Sequence, residues 1–355
     1  MHNILHTMRI NLSLLLSLIT FGCGSSAPKN TPVATQAAVS QPELITALKP
    51  SYRETFRKGD RVKIEFTELQ SLDSIIITIN GVLAPDGVFT VTGDKVGRVA
   101  YSVKALKGEQ EQTLGGEFWV VAAKPPLQES IAIVKRYPHD KKSYTQGLLF
   151  HNGLLYESVG QRGRSAIQAV EIESGKIVKK KELDKKYFGE GVTLLGGKLY
   201  QLTWEEGVVF VYDVEDFDKV SQYPLAGEGW GITTDGTWLY LSDGSHKIYK
   251  YDPDGFKKIS QIEVATDSGK VDYINELEWI DGKIWANIYL SNNIVVIDPQ
   301  SGMVERVIDC SILERNIGNR SRADVLNGIA YNPATKQLWL TGKDWDTLFE
   351  VKVVR

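Results

Sequence analysis

Phe188-Gly189-Glu190-Gly191-Val192-Thr193-Leu194-Leu195-Gly196-Gly197-Lys198-Leu199-Tyr200 decides the fold. A residue followed by glycine opens an apolar run, a glycine pair turns the chain, and an aromatic sits ten positions after the opener. The unit recurs. Gln146 to Tyr156, Trp230 to Tyr240 and Asn275 to Trp285 share the spacing, and Asn327 to Trp339 stretches it by two. Aligned on their aromatics, the copies lie 44, 40, 45 and 54 residues apart. A period of ~40–50 residues holding about four strands is the signature of a β-propeller.

Each copy reads as a blade. The pairs Asn152-Gly153, Gly196-Gly197, Asp235-Gly236 and Asp281-Gly282 are hairpin turns, since Asn, Asp and Gly tolerate positive φ. A third strand ends on an acid, as in Val211-Tyr212-Asp213 and Val296-Ile297-Asp298, and a fourth runs outward, as in Lys258 to Val264. The last copy stops one strand short, at Phe349 to Val353. Ile131 to Lys135 precedes the first copy without a partner. The spacing therefore predicts that this early strand completes the last blade, closing five blades over 129–355 and removing the sheet edges.

That architecture locates a site. The first strand of a propeller blade lines the central channel, and the second returns antiparallel to the same mouth. Gln146, Glu190, Trp230, Asn275 and Asn327 are thus expected to ring one end. Trp204, Tyr289 and Lys343, each four past an aromatic, are expected slightly further out. Five openers of differing chemistry point to a ligand site.

The remaining chain sets the context. With 41 basic and 44 acidic residues among 355, charge offers no reason to expect a nucleic-acid partner. Arg9 precedes an apolar run from Leu12 to Phe21, too short for a good membrane span, and Gly22-Cys23 follows. Residues 1–23 read as a lipoprotein-type signal segment with Cys23 as the lipidated residue. Residues 24–41, small, polar and proline-containing, read as a flexible linker. An exported, cell-envelope protein held to a membrane through a lipid anchor is expected. Cys310 is the only other cysteine, so no intramolecular disulfide remains. Short alternating runs with turns at Asn80-Gly81 and Asp86-Gly87 predict a small immunoglobulin-like β-sandwich over 42–125. The fold class is all-β throughout, and a monomer is expected.

Several stretches then carry a resemblance. Tyr144-Thr145-Gln146-Gly147-Leu148, Phe188-Gly189-Glu190-Gly191, Leu202-Thr203-Trp204, Gly229-Trp230-Gly231, Asn275-Glu276-Leu277-Glu278, Leu326-Asn327-Gly328-Ile329-Ala330 and Leu340-Thr341-Gly342-Lys343 occur in order over 137–355. Together they resemble the glutamine cyclotransferases of plants and bacteria, five-bladed propellers that convert the N-terminal glutamine of peptides to pyroglutamate. The resemblance implies a glutaminyl-peptide cyclotransferase with active-site positions at Tyr144, Thr145, Gln146, Phe188, Glu190, Trp204, Trp230, Asn275 and Lys343. Its partner would be a peptide or protein with N-terminal glutamine. Tyr144 stands where Phe is usual, and Asp344-Trp345-Asp346 replaces the commoner Trp-Pro.

The chemistry asks for the same groups. The α-amine must lose a proton to attack its own side-chain amide. Glu190 is the only carboxylate among the openers and is assigned as proton shuttle. Lys343 and the Trp204 indole are assigned to the oxyanion, and Asn275 and Gln146 to the substrate's amide groups. Trp230, Phe188 and Tyr144 would wall the pocket. No cofactor or metal is assigned to catalysis, while a structural metal ion in the channel stays open. Two other readings also stay open. One is a calcium-dependent propeller lactonase or hydrolase using Glu190, Asn275 and Asn327 as oxygen ligands. The other is a non-catalytic, lipid-anchored binding propeller. His139-Asp140 reads as a loop contact, and Glu157 and Glu276 as supports of the mouth.

Overall fold

The apolar runs that follow each opener become strands buried along most of their length, such as Thr145–His151 and Gly189–Leu195. Strands with so little polar alternation must be covered on both faces. The computed structural model describes residues 42–355. Residues 1–23, read above as a signal segment with Cys23, and 24–41, read as a linker, lie outside the described residues.

Three four-stranded antiparallel sheets follow one another along the chain. The first runs Thr145–His151, Leu154–Val159, Ala166–Glu171, Ile177–Glu182. The second runs from Gly189–Leu195 to Lys219–Pro224, and the third from Ile232–Thr234 to Lys257–Glu263. An eight-stranded sheet holds the rest. In it Ile274–Ile280, Lys283–Ile288, Asn293–Ile297 and Val304–Asp309 pair in order. Leu326–Asn332, Gln337–Gly342 and Thr347–Val354 do the same. Leu127–Pro138 joins the two sets: it pairs antiparallel with Thr347–Val354 and, through its first residues, parallel with Val304–Asp309. The early strand therefore supplies the outermost strand of the last set, as expected. Its parallel pairing with the preceding set is an addition that no spacing announced.

The first strands of successive sets pack against one another, and the last packs back against the first, so they form a closed ring. Glycine makes the close approach possible. A Cβ on Gly147 would lie 2.4 Å from Val192 N, one on Gly191 2.7 Å from Trp230 O, and one on Gly231 2.1 Å from Asn275 O. The glycine after each of these openers is thus a requirement of backbone-to-backbone packing. In the fourth copy Glu276 takes its place. Its buried carboxylate accepts Leu148 N at 3.2 Å and Ile329 N at 3.0 Å, spanning two neighbouring first strands.

The periodic aromatic has an equally simple cause. Tyr156, Tyr200, Tyr240, Trp285 and Trp339 each lie in a different apolar cluster, and each cluster joins one set of strands to the next. Three hairpins carry the positive-φ pairs expected, at Asn152-Gly153, Gly196-Gly197 and Asp281-Gly282. The hairpin of the third sheet differs: Asp235 accepts Thr237 N and Trp238 N and closes a longer turn, in which Gly236 alone has positive φ.

Residues before Leu127 form a five-stranded sheet (Thr55–Phe56, Gln110–Val120, Gly97–Lys107, Ser74–Ile79, Val82–Leu83) and two short two-stranded ones. They enclose their own core around Ile45, Val62, Val103 and Phe118. This block meets the third and fourth sets of strands. Val96 and Ala122 pack with Ala265, Ala122 N donates to Thr266 O, and Trp119 stands edge-on to His246 at 5.2 Å.

Candidate active site

Four of the five openers sit where their strand breaks register with the next. Shifts fall between Thr145 and Gly147, Gly189 and Val192, Ile274 and Leu277, and Leu326 and Ile329. A β-bulge at these places re-aims one side chain without ending the strand. Gln146, Glu190 and Asn275 are turned in this way into one cavity of about 220 Å³. Lys343 reaches it from the end of Gln337–Gly342. Tyr144, Phe188, Trp204, Trp230, Tyr289 and Gln161 complete the lining.

The cavity has a polar floor and aromatic walls. Gln146, Glu190, Asn275 and Lys343 are each 4% exposed or less, whereas the aromatic rings are only half-buried. The walls interlock edge to face: Tyr144 on Phe188 (6.2 Å), Phe188 on Trp204 (5.6 Å) and Trp230 on Tyr289 (5.6 Å). Lys343 Nζ lies 4.9 Å from the Tyr144 ring centre and 5.2 Å from that of Tyr289, contacts that favour a cation.

Two buried groups of opposite charge type share this floor. Burial pushes the Glu190 carboxyl well above the usual carboxylate range; Lys343 opposes the shift, and Glu206 and Glu228 add to it. Burial pulls the Lys343 ammonium below its ordinary value, against the pull of Glu190 and Asp324. The two shifts run in opposite directions, each toward the neutral form of its group. Gln146 Nε2 donates to Glu190 Oε1 at 2.9 Å, and Asn327 Nδ2 donates to Gln146 Oε1 at 3.3 Å, which fixes the amide's orientation. Asn275 Oδ1 is buried without a hydrogen-bond partner among the described residues. An orphan acceptor in the lining of a cavity is a place for a ligand N–H.

Of the ten residues assigned from sequence, eight line the cavity. Thr145 and Asn327 stand behind it. The Thr145 hydroxyl donates to Glu157 Oε1 at 2.6 Å, and Asn327 Nδ2 also donates to Thr145 O at 3.0 Å. The bulge turns Asn327 toward the neighbouring strand rather than the mouth. Trp204 lines the wall, and its indole N–H donates to Glu228 at 2.8 Å. Glu157 supports the mouth only at a distance, held by Thr145, by Gln168 at 2.7 Å and by His139 Nε2 at 3.2 Å. His139 lies in the loop after Leu127–Pro138, and its buried ring is a partner of that carboxylate. Among the described residues no group of three or more His, Cys, Asp or Glu side chains is placed to hold a metal ion.

Known proteins share this arrangement of sequence. The family profile described as glutamine cyclotransferase matches residues 100–353. The chain belongs to the glutamine cyclotransferase family. A glutaminyl-peptide cyclotransferase of Arabidopsis thaliana is 39% identical over 228 residues, 63% of this chain and 71% of that protein. The crystal structure of Myxococcus xanthus glutaminyl cyclase superposes with a TM-score of 0.61 at 36% identity, covering 64% of this chain and 98% of that one. The family match of this glutamine cyclotransferase begins inside the N-terminal block, at the strands Gly97–Lys107 and Gln110–Val120, earlier than the motifs alone reach.

Three residues of the site carry no role in the sequence reading. Tyr289 stands where its offset from Trp285 predicts, the offset that also locates Trp204 and Lys343, and it packs against Trp230 as a further wall. Gln161, held at φ 85° in the turn after the second strand, and Glu228, two residues before an opener, have no periodic signal that could have found them.

Proposed function

We propose that the protein is a glutaminyl-peptide cyclotransferase acting on peptides or proteins with N-terminal glutamine. The observation that carries this reading is the buried pair Glu190 and Lys343 beside the Asn275 oxygen, unpartnered among the described residues, on the floor of a small aromatic cavity. A glutamine side chain fills such a space, and the family's named members act in that sense.

The reaction joins the α-amine nitrogen to the side-chain amide carbon and expels ammonia. Asn275 Oδ1 accepts an N–H of the substrate and fixes its end. The aromatic walls hold the chain curled, so that amine and carbonyl approach within one pocket. Glu190, as carboxylate, takes the proton that the attacking amine releases. The carbonyl oxygen becomes an oxyanion, which the buried Lys343 ammonium stabilises in a medium of low dielectric. The Glu190 acid then returns its proton to the departing nitrogen, the carbon–nitrogen bond breaks, and ammonia leaves with the lactam formed. Gln146, fixed by Asn327, keeps a donor on Glu190 through both transfers.

The same reading takes the closed ring as a five-bladed propeller, with the eight-stranded sheet as two blades joined through Leu127–Pro138. It takes 42–125 as an immunoglobulin-like spacer module and 1–23 as a lipoprotein signal, so that an exported monomer is tethered through Cys23. No metal is assigned to the reaction. Ammonia release from a Gln-initiated peptide, with its N-acetylated form and a lactone as comparison substrates and a chelator present, tests the function. Turnover of the free-amine peptide alone is expected. Lactone hydrolysis lost to the chelator would overturn the reading in favour of the metal-dependent hydrolase, and no turnover of either in favour of a binding protein.

A further inference from the structure

Trp204 and Trp230 face the cavity from two different sheets, one from the end of Lys198–Thr203 and the other from the segment before Ile232–Thr234. Each indole has a single N–H to give. Both give it to the same atom: Glu228 Oε2 accepts Trp204 Nε1 at 2.8 Å and Trp230 Nε1 at 2.9 Å. The rings are also held by their neighbours. Phe188 packs on Trp204 at 5.6 Å, and Trp230 leans on Gly244, where a Cβ would come within 2.6 Å of the ring. Glu228 is itself exposed, so no burial demands this arrangement. An exposed carboxylate satisfied by water gains little from one indole, whereas two convergent charge-assisted bonds set the spacing between two walls.

We infer that Glu228 is a positioning residue of the pocket: one carboxylate oxygen fixes both tryptophan walls and puts a negative charge at the mouth. The inference rests on the cyclotransferase reading above. It makes the gap between Trp204 and Trp230 a fixed width, suited to a flat side chain. It also makes the mouth attractive to the ammonium form of a peptide N-terminus. The same charge acts on the chemistry, because Glu228 is one of the two acids that raise Glu190.

Two variants separate the parts. Glu228→Ala removes both the acceptor and the charge; Glu228→Gln keeps an acceptor oxygen and removes only the charge. The kinetics of a Gln-initiated tripeptide, with kcat and KM resolved across pH, give the readout. For Glu228→Ala, KM rises roughly tenfold while kcat changes less than about threefold, the size expected for losing a charge-assisted contact outside the reacting atoms. For Glu228→Gln the rise in KM is smaller. In both, the acidic limb of the kcat/KM profile moves to lower pH, since a like charge near Glu190 is gone. A KM within about twofold of wild type with an unmoved limb overturns the inference. So does a fall in kcat with KM unchanged, accompanied by a lower melting temperature, the pattern of a merely structural residue. If wild type itself fails to cyclise the tripeptide, the functional reading falls first, and the two failures are distinct.

Discussion

Replacing Glu190 by glutamine isolates the proton-transfer role, because almost everything else in the pocket is kept. The side chain keeps its volume in a cavity of about 220 Å³, and the carbonyl oxygen of the new amide can still accept from Gln146 Nε2, which lies 2.9 Å from Glu190 Oε1 in the native pocket. What is lost is the basic oxygen and one of two buried opposite charges. A positioned general acid–base group contributes roughly 10²–10⁴-fold, so kcat falls by that factor, or about 3–5 kcal/mol of activation free energy. KM moves little, because Asn275 and the aromatic walls remain. Stability moves the other way. Burial holds Glu190 far from its ordinary ionisation, and a neutral amide removes that cost. The melting temperature of Glu190→Gln therefore equals or exceeds that of wild type. Ammonia release from a Gln-initiated peptide and a thermal melt measure both quantities. Turnover within about threefold of wild type would refute the shuttle role, since even the weakest general base exceeds that.

Other substitutions test the supporting parts. Lys343→Met keeps the aliphatic stem and removes the charge, and kcat falls roughly 10²–10³-fold, as for loss of an oxyanion donor. The acidic limb of its pH profile moves up, because Lys343 alone opposes the rise of Glu190. Gly231→Ala drives a Cβ to 2.1 Å from Asn275 O, so a fall in melting temperature is expected together with a loss of kcat/KM, from about 1–3 kcal/mol of overpacking. Glu157→Gln strips the buried His139 of its counter-charge and costs about 3–5 kcal/mol in denaturant unfolding. Its effect depends on pH. Despite burial, which raises it, His139 and its other donors hold Glu157 below 4.5, so the stabilisation is present above that value and lost as pH falls through the depressed pKa. Despite burial, which lowers it, Glu157 holds His139 above 6.5, so that part is complete below 6.5 and lost as pH rises through the raised pKa. The gap between variant and wild type is widest between about pH 4.5 and 6.5.

Much of this was legible in the sequence, for identifiable reasons. The ten-residue spacing from opener to aromatic records two packing needs at once. The glycine lets neighbouring first strands touch, and the aromatic fills the gap to the next sheet. Both are local consequences of a closed ring, so they repeat and can be read. Glu190, Gln146, Asn275, Trp204, Trp230 and Lys343 stand on that repeat, and their convergence followed from strand polarity. Features that do not repeat were hidden. Glu228 acts from a loop, and its two partners come from separate sheets. The sideways turn of Asn327 at its bulge is peculiar to that copy and leaves no compositional mark. Trp204 stands on the repeat, but only the geometry shows where its N–H goes. The His139–Glu157 pair is a buried contact between chemically ordinary letters, and nothing in their spacing marks it.

The central claim, that this pocket cyclises N-terminal glutamine, is tested most directly by mass spectrometry of a Gln-initiated peptide incubated with the purified protein. The account predicts loss of one ammonia per peptide, far faster than the spontaneous reaction and abolished by acetylation of the α-amine. Ammonia loss at the spontaneous rate, or equal loss from the acetylated peptide, would contradict it.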